Sequence, residues 1–387
     1  SEYGLASSPS WIVEGKQNSS LLGYSVSGAG DVNDDGYCDV IVGAPDYTES
    51  ESNEGAVLLF YGASIVGLTD TPDWVFYGGQ QEANLGASVS SGDVNGDGYS
   101  DLIVGASGYT GSVNREGATF VFYGGPDGPA DTPDRTLLSG GANALFGAAV
   151  GAGDVDGDGC DDVVVGAPAH GGVGGAFLFT SSEGRGLQTV ASWTISGTLA
   201  ESQLGAAVAG GGDVNGDGYD DVLVGAPGQD GGQAGAGAAF LFCGGPGGLA
   251  ASPSWGAYGD QVYEEFGAAV AFAGDVDEDG YDDAVVGAPG FTNDKSTEGG
   301  VFLFHGTASG LWPIASWRAE GDKAETGFGN AVGGAGDVDD DGAPDLVVGA
   351  PLYKIETNIY GRAFGYLGPI PWQGFRTYVP LIELSTR

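Results

Sequence analysis

Short apolar runs return along the whole chain, separated by polar, glycine-rich stretches. Val40-Ile-Val-Gly-Ala-Pro45 and Val222-Leu-Val-Gly-Ala-Pro227 are continuous apolar runs closed by a turn residue, the pattern of a buried strand. The second copy departs, ending in Ser107. A variable polar loop then leads to aromatic-rich runs such as Gly55-Ala-Val-Leu-Leu-Phe-Tyr61 and Gly300-Val-Phe-Leu-Phe304. Shorter runs form a third class: Ser10-Trp-Ile-Val13, Asp73-Trp-Val-Phe76, Arg135-Thr-Leu-Leu138, Ser192-Trp-Thr-Ile195, Ser254-Trp255 and Ser316-Trp317, with Trp372 opening a less regular seventh copy. The fourth class is rich in Ala, Ser, Val and Gly and follows Leu22-Gly23, Leu85-Gly86, Phe146-Gly147, Leu204-Gly205, Phe266-Gly267 and Phe328-Gly329. No segment carries a helical period. Four short strands per repeat, joined by glycine-rich turns, predict an antiparallel all-β protein.

Between the small-residue run and the buried run lies a nine-residue loop that occurs six times, starting at Asp31, Asp93, Asp154, Asp213, Asp275 and Asp337. Successive starts are 62, 61, 59, 62 and 62 residues apart, a spacing that signals a repeat architecture. Position 3 is Asn33, Asn95, Asp156, Asn215, Asp277 or Asp339; position 5 is Asp35, Asp97, Asp158, Asp217, Asp279 or Asp341. Position 9 is Asp39, Asp101, Asp162, Asp221, Asp283 or Asp345. Carboxylates this dense repel one another unless a cation lies among them. Hard oxygen donors, with no His or Cys at the side-chain ligand positions, select Ca2+ over zinc or copper, and Mg2+ prefers a tight octahedron with retained waters. About six Ca2+ ions, one per repeat, are therefore expected.

Position 6 is glycine in every copy (Gly36, Gly98, Gly159, Gly218, Gly280, Gly342), which lets the backbone turn around the ion at positive φ. Position 7 varies (Tyr37, Tyr99, Cys160, Tyr219, Tyr281, Ala343), so its expected contribution is a backbone carbonyl. The opening is that of an EF-hand, but the twelfth-position Glu is missing and a strand follows instead of a helix.

Four-stranded units repeated radially make a β-propeller, which protects strand edges by closing the ring. The repeats are placed at about residues 15–78, 79–139, 140–197, 198–259, 260–321 and 322–387, as one domain of six blades, with seven as the alternative. Residues 10–13 are expected to supply a ring-closing strand, and Phe375–Leu384 an extra strand or the start of a following segment.

The net charge of −42, from 53 acidic and 11 basic residues, argues against nucleic acid and anionic membranes as partners. Six divalent ions would reduce it only to about −30. A basic or cation-bearing partner fits better. No apolar run approaches a membrane span. Residue 1 is Ser, read as a mature or trimmed export product, and calcium modules of this kind fit an extracellular location, secreted or at the cell surface. Cys38, Cys160 and Cys243 fall in three different repeats, which is no disulfide framework; free, mostly buried thiols are expected. Two histidines in different loops, His170 and His305, and the absence of a nucleophile elbow, zinc motif or phosphate loop argue against an enzyme.

Phe266-Gly…Gly274-Asp-Val-Asp-Glu-Asp-Gly…Val286-Gly-Ala-Pro289 resembles the FG-GAP repeat of integrin α-subunit propellers, and the resemblance covers nearly the whole chain. It implies that the calcium loops join the first and second strands of each blade on the lower face. It also implies a ligand-binding upper face made by the loops between strands two and three and between four and the next one. Two residues past each Gly-Ala-Pro or Gly-Ala-Ser stand Tyr47, Tyr109, His170, Gln229, Phe291 and Tyr353, four of them aromatic. Integrin propellers use upper-face aromatics against a partner subunit, so Tyr47, Tyr109, His170, Phe291 and Tyr353 are candidate ligand residues; capping of the individual blade is the competing role. Tyr258 and Tyr263 lie in another upper loop. The expected function is a monomeric protein–protein adhesion or interaction module. The alternatives are a glycan-binding propeller and the accessory domain of a secreted hydrolase or lyase.

Overall fold

A computed structural model describes residues 11–64, 67–69, 71–355, 358–359 and 361–368. The chain forms two compact units, one of Ser10–Ala200 and one of Ser1–Pro9 with Glu201–Arg387. It is all-β, of the β-propeller class with six blades. The first unit holds three four-stranded antiparallel blades. Blade 1 is Ser25–Gly30, Asp39–Ala44, Ala56–Phe60 and Trp74–Tyr77; blade 2 is Leu85–Gly92, Asp101–Ala106, Ala118–Phe122 and Arg135–Leu137. Blade 3 is Ala149–Gly153, Asp162–Ala167, Gly175–Phe179 and Trp193–Ser196.

In the second unit, blade 4 is Ala207–Gly212, Asp221–Ala226, Ala238–Phe242 and Trp255–Tyr258, and blade 5 is Ala269–Gly274, Asp283–Ala288, Gly300–Phe304 and Trp317–Glu320. Blade 6 shows Ala331–Gly336, Asp345–Ala350 and Arg362–Tyr366 among the described residues. The order of strands in each blade is the order of the four run classes. A single 3-10 turn, His170–Gly172, is the helical element among the described residues. Residues 11–13 form no strand; Ser10, Trp372 and Phe375–Leu384 lie outside the described residues.

The seams between consecutive blades explain the recurrent glycines. A Cβ on Gly43 would lie 2.2 Å from the carbonyl oxygen of Gly86, and one on Gly105 only 1.9 Å from that of Gly147. The second unit repeats this with Gly225 against Gly267 (2.0 Å) and Gly287 against Gly329 (1.9 Å). In these four runs the Gly of Gly-Ala-Pro or Gly-Ala-Ser therefore meets the Leu-Gly or Phe-Gly of the next blade, backbone on backbone. Leu85 N–H donates to the Glu54 carbonyl (3.1 Å), and Phe146 N–H to that of Glu116 (3.1 Å).

The tryptophans of the outer strands wedge the same seams from the rim. Trp74 of blade 1 meets Phe122 of blade 2 edge-on at 5.0 Å, Trp255 meets Phe304 at 4.9 Å, and Trp317 meets Tyr366 at 5.1 Å. Each such pair adds about 0.5–1.5 kcal/mol beyond the area it buries. Trp11 takes the equivalent seat against Phe60 at 5.0 Å, and its indole N–H donates to the Thr69 carbonyl. Without strand pairing at 11–13, it is this side chain that ties the start of the described chain to blade 1.

Candidate metal centres

All six acidic loops join the first and second strands of their blades. Each is folded around its own position-1 carboxylate. In the first loop Asp31 accepts the N–H of Asp35 on Oδ1 (3.0 Å) and of Gly36 on Oδ2 (2.8 Å), while Asp35 accepts Tyr37 N–H (3.0 Å). The second loop repeats the set with Asp93, Asp97, Gly98 and Tyr99, and the sixth with Asp337, Asp341, Gly342 and Ala343. The position-6 glycines sit at φ between 86° and 103°, as their sequence position predicts. Position 4 is also left-handed, and there Asp34, Glu278 and Asp340 take up φ of 57–60° that glycine holds in the other three loops.

Position 9 is fully enclosed and doubly clamped. Asp101 accepts Val94 N–H on one oxygen (3.0 Å) and Gly124 N–H, from the end of the third strand, on the other (2.8 Å). Asp283 does the same with Val276 (2.9 Å) and Gly306 (2.8 Å). Burial pushes Asp101, Asp162 and Asp283 up to about 8, and Asp221 to about 6. Backbone N–H groups oppose the rise and neighbouring loop carboxylates add to it. A cation beside them would favour the ionised form.

Carboxylate oxygens of Asp154, Asp156 and Asp158 lie within 4.8 Å of one another, as do those of Asp275, Asp277 and Asp279 and of Asp337, Asp339 and Asp345. The other three loops carry Asn33, Asn95 or Asn215 at position 3, an amide oxygen in place of the third carboxylate. The donor set is all oxygen and the loop is shaped without an ion, so these residues fit a hard divalent cation, Ca2+ first. Bound there, the ion would neutralise the cluster and pin the hairpin.

Three features were not foreseen from the sequence. Position 8 stitches neighbouring loops: Asp161 accepts Asp93 N–H (2.9 Å) and returns its own N–H to the Asp93 carbonyl (2.9 Å), and Asp282 does the same with Asp213 (3.0 and 3.1 Å). Buried glutamates organise the loops between second and third strands. Glu54 accepts the N–H groups of Glu49, Ser50 and Glu51 on Oε1, and Ser50 Oγ–H and Gly79 N–H on Oε2. Glu116 and Glu298 hold the corresponding loops of blades 2 and 5. Their sequence signal is the Glu-Gly pair that opens the third strand in these three repeats. Lastly, His305 reaches the fifth loop, its Nδ1 2.7 Å from Asp277 Oδ2.

The candidate ligand residues lie at the loop after the second strand, and each packs on its own blade. Tyr47 stacks on Tyr77 (5.6 Å), whereas Tyr109 meets Phe120 (5.2 Å), His170 meets Phe177 (5.2 Å), Phe291 meets Phe302 (5.5 Å) and Tyr353 meets Phe364 (6.0 Å) edge-on. Phe291 and Tyr353 are buried, the other three partly so. Tyr258, at the end of the fourth strand of blade 4, and Tyr263, in the loop that follows it, are exposed. Of the cysteines, Cys160 is buried, Cys243 half-buried and Cys38 exposed, so the expectation of mostly buried thiols fails at Cys38.

Blades with an acidic loop in every inner hairpin and glycine-to-carbonyl seams define a repeat propeller of the integrin α type. The chain belongs to the FG-GAP repeat family, which matches residues 22–60, 85–122, 146–179, 204–242, 266–304 and 328–366. It is 33% identical over 231 residues to integrin alpha-V of Gallus gallus, covering 57% of this chain and 21% of that protein. It is 38% identical over 217 residues to integrin alpha-IIb of Homo sapiens, covering 54% and 20%. The chain thus spans about a fifth of the length of these relatives. A solved structure of a candidate 6-phosphogluconolactonase from Bacteroides uniformis matches with TM-score 0.55 and 11% identity over 88% of this chain and 80% of that one, a likeness of fold alone.

Proposed function

We propose that this chain is an extracellular, calcium-stabilised interaction module that binds a protein partner through the loops opposite its acidic hairpins, with no catalysis of its own. The single observation that carries the calcium reading is the six-fold recurrence of a carboxylate loop already folded around its position-1 Asp. With 11 basic residues against 53 acidic ones, the chain cannot neutralise those loops itself. The adhesion reading follows the integrin α likeness. It is supported by the exposed Tyr258, Val262 and Tyr263 beside one another in sequence on the loop side of blades 4 and 5. No helix among the described residues is long and apolar enough to cross a membrane.

The test is calorimetric titration of Ca2+ into chelator-stripped protein, with a melting curve at each end. About six sites and a rise in Tm are expected, because an ion bound at 100 times its Kd adds about 2.7 kcal/mol per site. An unchanged Tm would remove the structural role. A second reading, glycan binding, is favoured by one cavity of about 530 Å³ in the first unit. It is lined by the stacked pair Tyr47 and Tyr77 with Glu14 and Lys16, an aromatic platform beside polar groups. Tyr47→Ala and Tyr263→Ala, each scored on a glycan array and by pull-down, separate the two readings. Loss of a sugar signal in the first supports the glycan reading, and loss of a protein partner in the second supports the protein reading.

A further inference from the structure

The residue that follows the third strand differs from blade to blade: Tyr61, Tyr123, Thr180, Cys243, His305 and Leu367. The next residue donates its N–H to the position-9 carboxylate, Gly62 to Asp39 and Gly306 to Asp283 for example, so this side chain stands beside the acidic loop. In blade 5 it is an imidazole. His305 is 4% exposed and its backbone is fixed on both sides, by Gly306 N–H on Asp283 and by Trp312 N–H on its own carbonyl (2.9 Å). Nδ1 lies 2.7 Å from Asp277 Oδ2. Nε2 is enclosed with no hydrogen-bond partner, and so is Asp277 Oδ1. Donor atoms of Asp277, Asp283 and His305 fall within 4.8 Å of one another.

Resting on the reading of these loops as cation sites, we infer that the fifth loop is a mixed nitrogen–oxygen site that prefers a borderline transition ion, with Zn2+ as the reference, to the Ca2+ of the other five. Ca2+ takes six to eight oxygens and gains little from an imidazole. Zn2+ takes four donors, for which one His with two carboxylates is a familiar set, and Co2+ substitutes for it. An ordinary His–Asp ion pair would account for the Nδ1 contact. It would not account for an enclosed Nε2 that lacks a partner, in a group that also holds Asp283; the unpartnered Oδ1 of Asp277 is shared with Asp156 and Asp339 at the same loop position and belongs to the loops in general. The seat after the third strand varies from blade to blade, and in blade 5 it sets an imidazole beside the acidic loop, a borderline donor added to hard ones.

The experiment uses the full chain held in excess Ca2+, with Zn2+ or Co2+ added, unbound metal removed by gel filtration, and retained metals counted by mass spectrometry. The native chain is expected to retain one Zn2+ and to show the visible absorption of a nitrogen-ligated Co2+. His305→Tyr, which installs the residue of blades 1 and 2, is expected to weaken Zn2+ binding on the order of 100-fold and to abolish the Co2+ band. His305→Gln, close in size, controls for packing and is expected to lose zinc equally. Zinc retention undiminished in both variants overturns the inference, as does displacement of zinc from the native chain by Ca2+. Calcium counted in the same samples reads the other loops separately. Their failure to bind would refute the calcium reading while leaving the zinc count to decide the fifth loop.

Discussion

Glu54→Gln isolates a carboxylate that has nothing to do with metal. Glu54 is completely enclosed and collects five donors: N–H groups of Glu49 (2.7 Å), Ser50 (2.6 Å) and Glu51 (3.1 Å) on Oε1, and Ser50 Oγ–H (3.2 Å) and Gly79 N–H (3.1 Å) on Oε2. Its backbone carbonyl also receives Leu85 N–H from blade 2, so the loop and the seam share one residue. Glutamine keeps the shape. Its oxygen can remain in the three-donor nest, and the Ser50 hydroxyl can turn to accept from the new amide. Gly79 N–H then faces an N–H and is left unsatisfied, which costs about 1–3 kcal/mol, and the three nest bonds lose their charge assistance. A total of about 2–3 kcal/mol lowers Tm by roughly 4–12 °C in a unit of this size.

The pH dependence gives the prediction its second edge. Burial pushes the Glu54 carboxyl up, but the N–H groups of Glu51, Ser50 and Glu49 and the Ser50 hydroxyl together pull it further down, below the ordinary 4.5. A depressed carboxylate contributes stability that is complete above its unfolded pKa and disappears as pH falls through the folded one. The Tm gap between the native chain and Glu54→Gln should therefore be flat from pH 7 to about 5 and shrink below about 4. Every other carboxylate titrates in both proteins and cancels in the difference. Melting curves by circular dichroism in chelator, from pH 7 to 3, suffice. A gap under 1 °C at pH 7, or a gap that stays constant to pH 3, would refute the argument.

Two further substitutions probe the loops and the seams. Asp101→Asn should change stability little in chelator near pH 7, where burial keeps the carboxyl largely protonated and its O–H already faces one of the Val94 and Gly124 N–H groups, but should cost about 2.7 kcal/mol in calcium if affinity falls 100-fold; equal losses of Tm in calcium and chelator would show that position 9 is no ligand. Gly105→Ala places a Cβ 1.9 Å from the Gly147 carbonyl oxygen, a backbone atom that cannot step aside cheaply, and should cost about 2–4 kcal/mol, whereas Gly125→Ala, which meets open space, should be near neutral; similar melting of the two variants would remove the seam from the account of the motif.

What was legible in the sequence divides along the range of the forces involved. The turn of the acidic loop was readable, because the loop makes its own hydrogen bonds: Asp31 accepts from Asp35 and Gly36, four and five residues on, and the pattern repeats, whereas the position-8 link to a neighbouring loop was not. Strand classes were readable for the same reason, since apolar runs of four to six residues need only their own composition. The Gly-Ala-Pro and Phe-Gly letters were visible, yet their meaning was not, because Gly105 needs Gly147, some forty residues on, to explain why it carries no side chain. The roles of Glu54 and Glu116 were not legible, since a sequence does not show that a loop curls its N–H groups inward onto one carboxylate. His305 reads in the sequence only as the end of an aromatic strand, where its counterparts are Tyr61, Tyr123 and Cys243.

That last case shows how repetition both helps and misleads. Six copies in register make one shared pattern of carboxylates visible where one copy could not, because independent Asx turns have no reason to recur at the same nine positions. The same averaging hides the copy that differs. His305 is not in the loop at all but follows the third strand, 22 residues past Asp283, and Gly306 brings it back by its hydrogen bond to that Asp. A donor delivered from outside the motif escapes any reading confined to the motif. In a propeller every blade offers such a seat next to its loop, so metal preference can be changed blade by blade through a single residue while the loop itself stays intact.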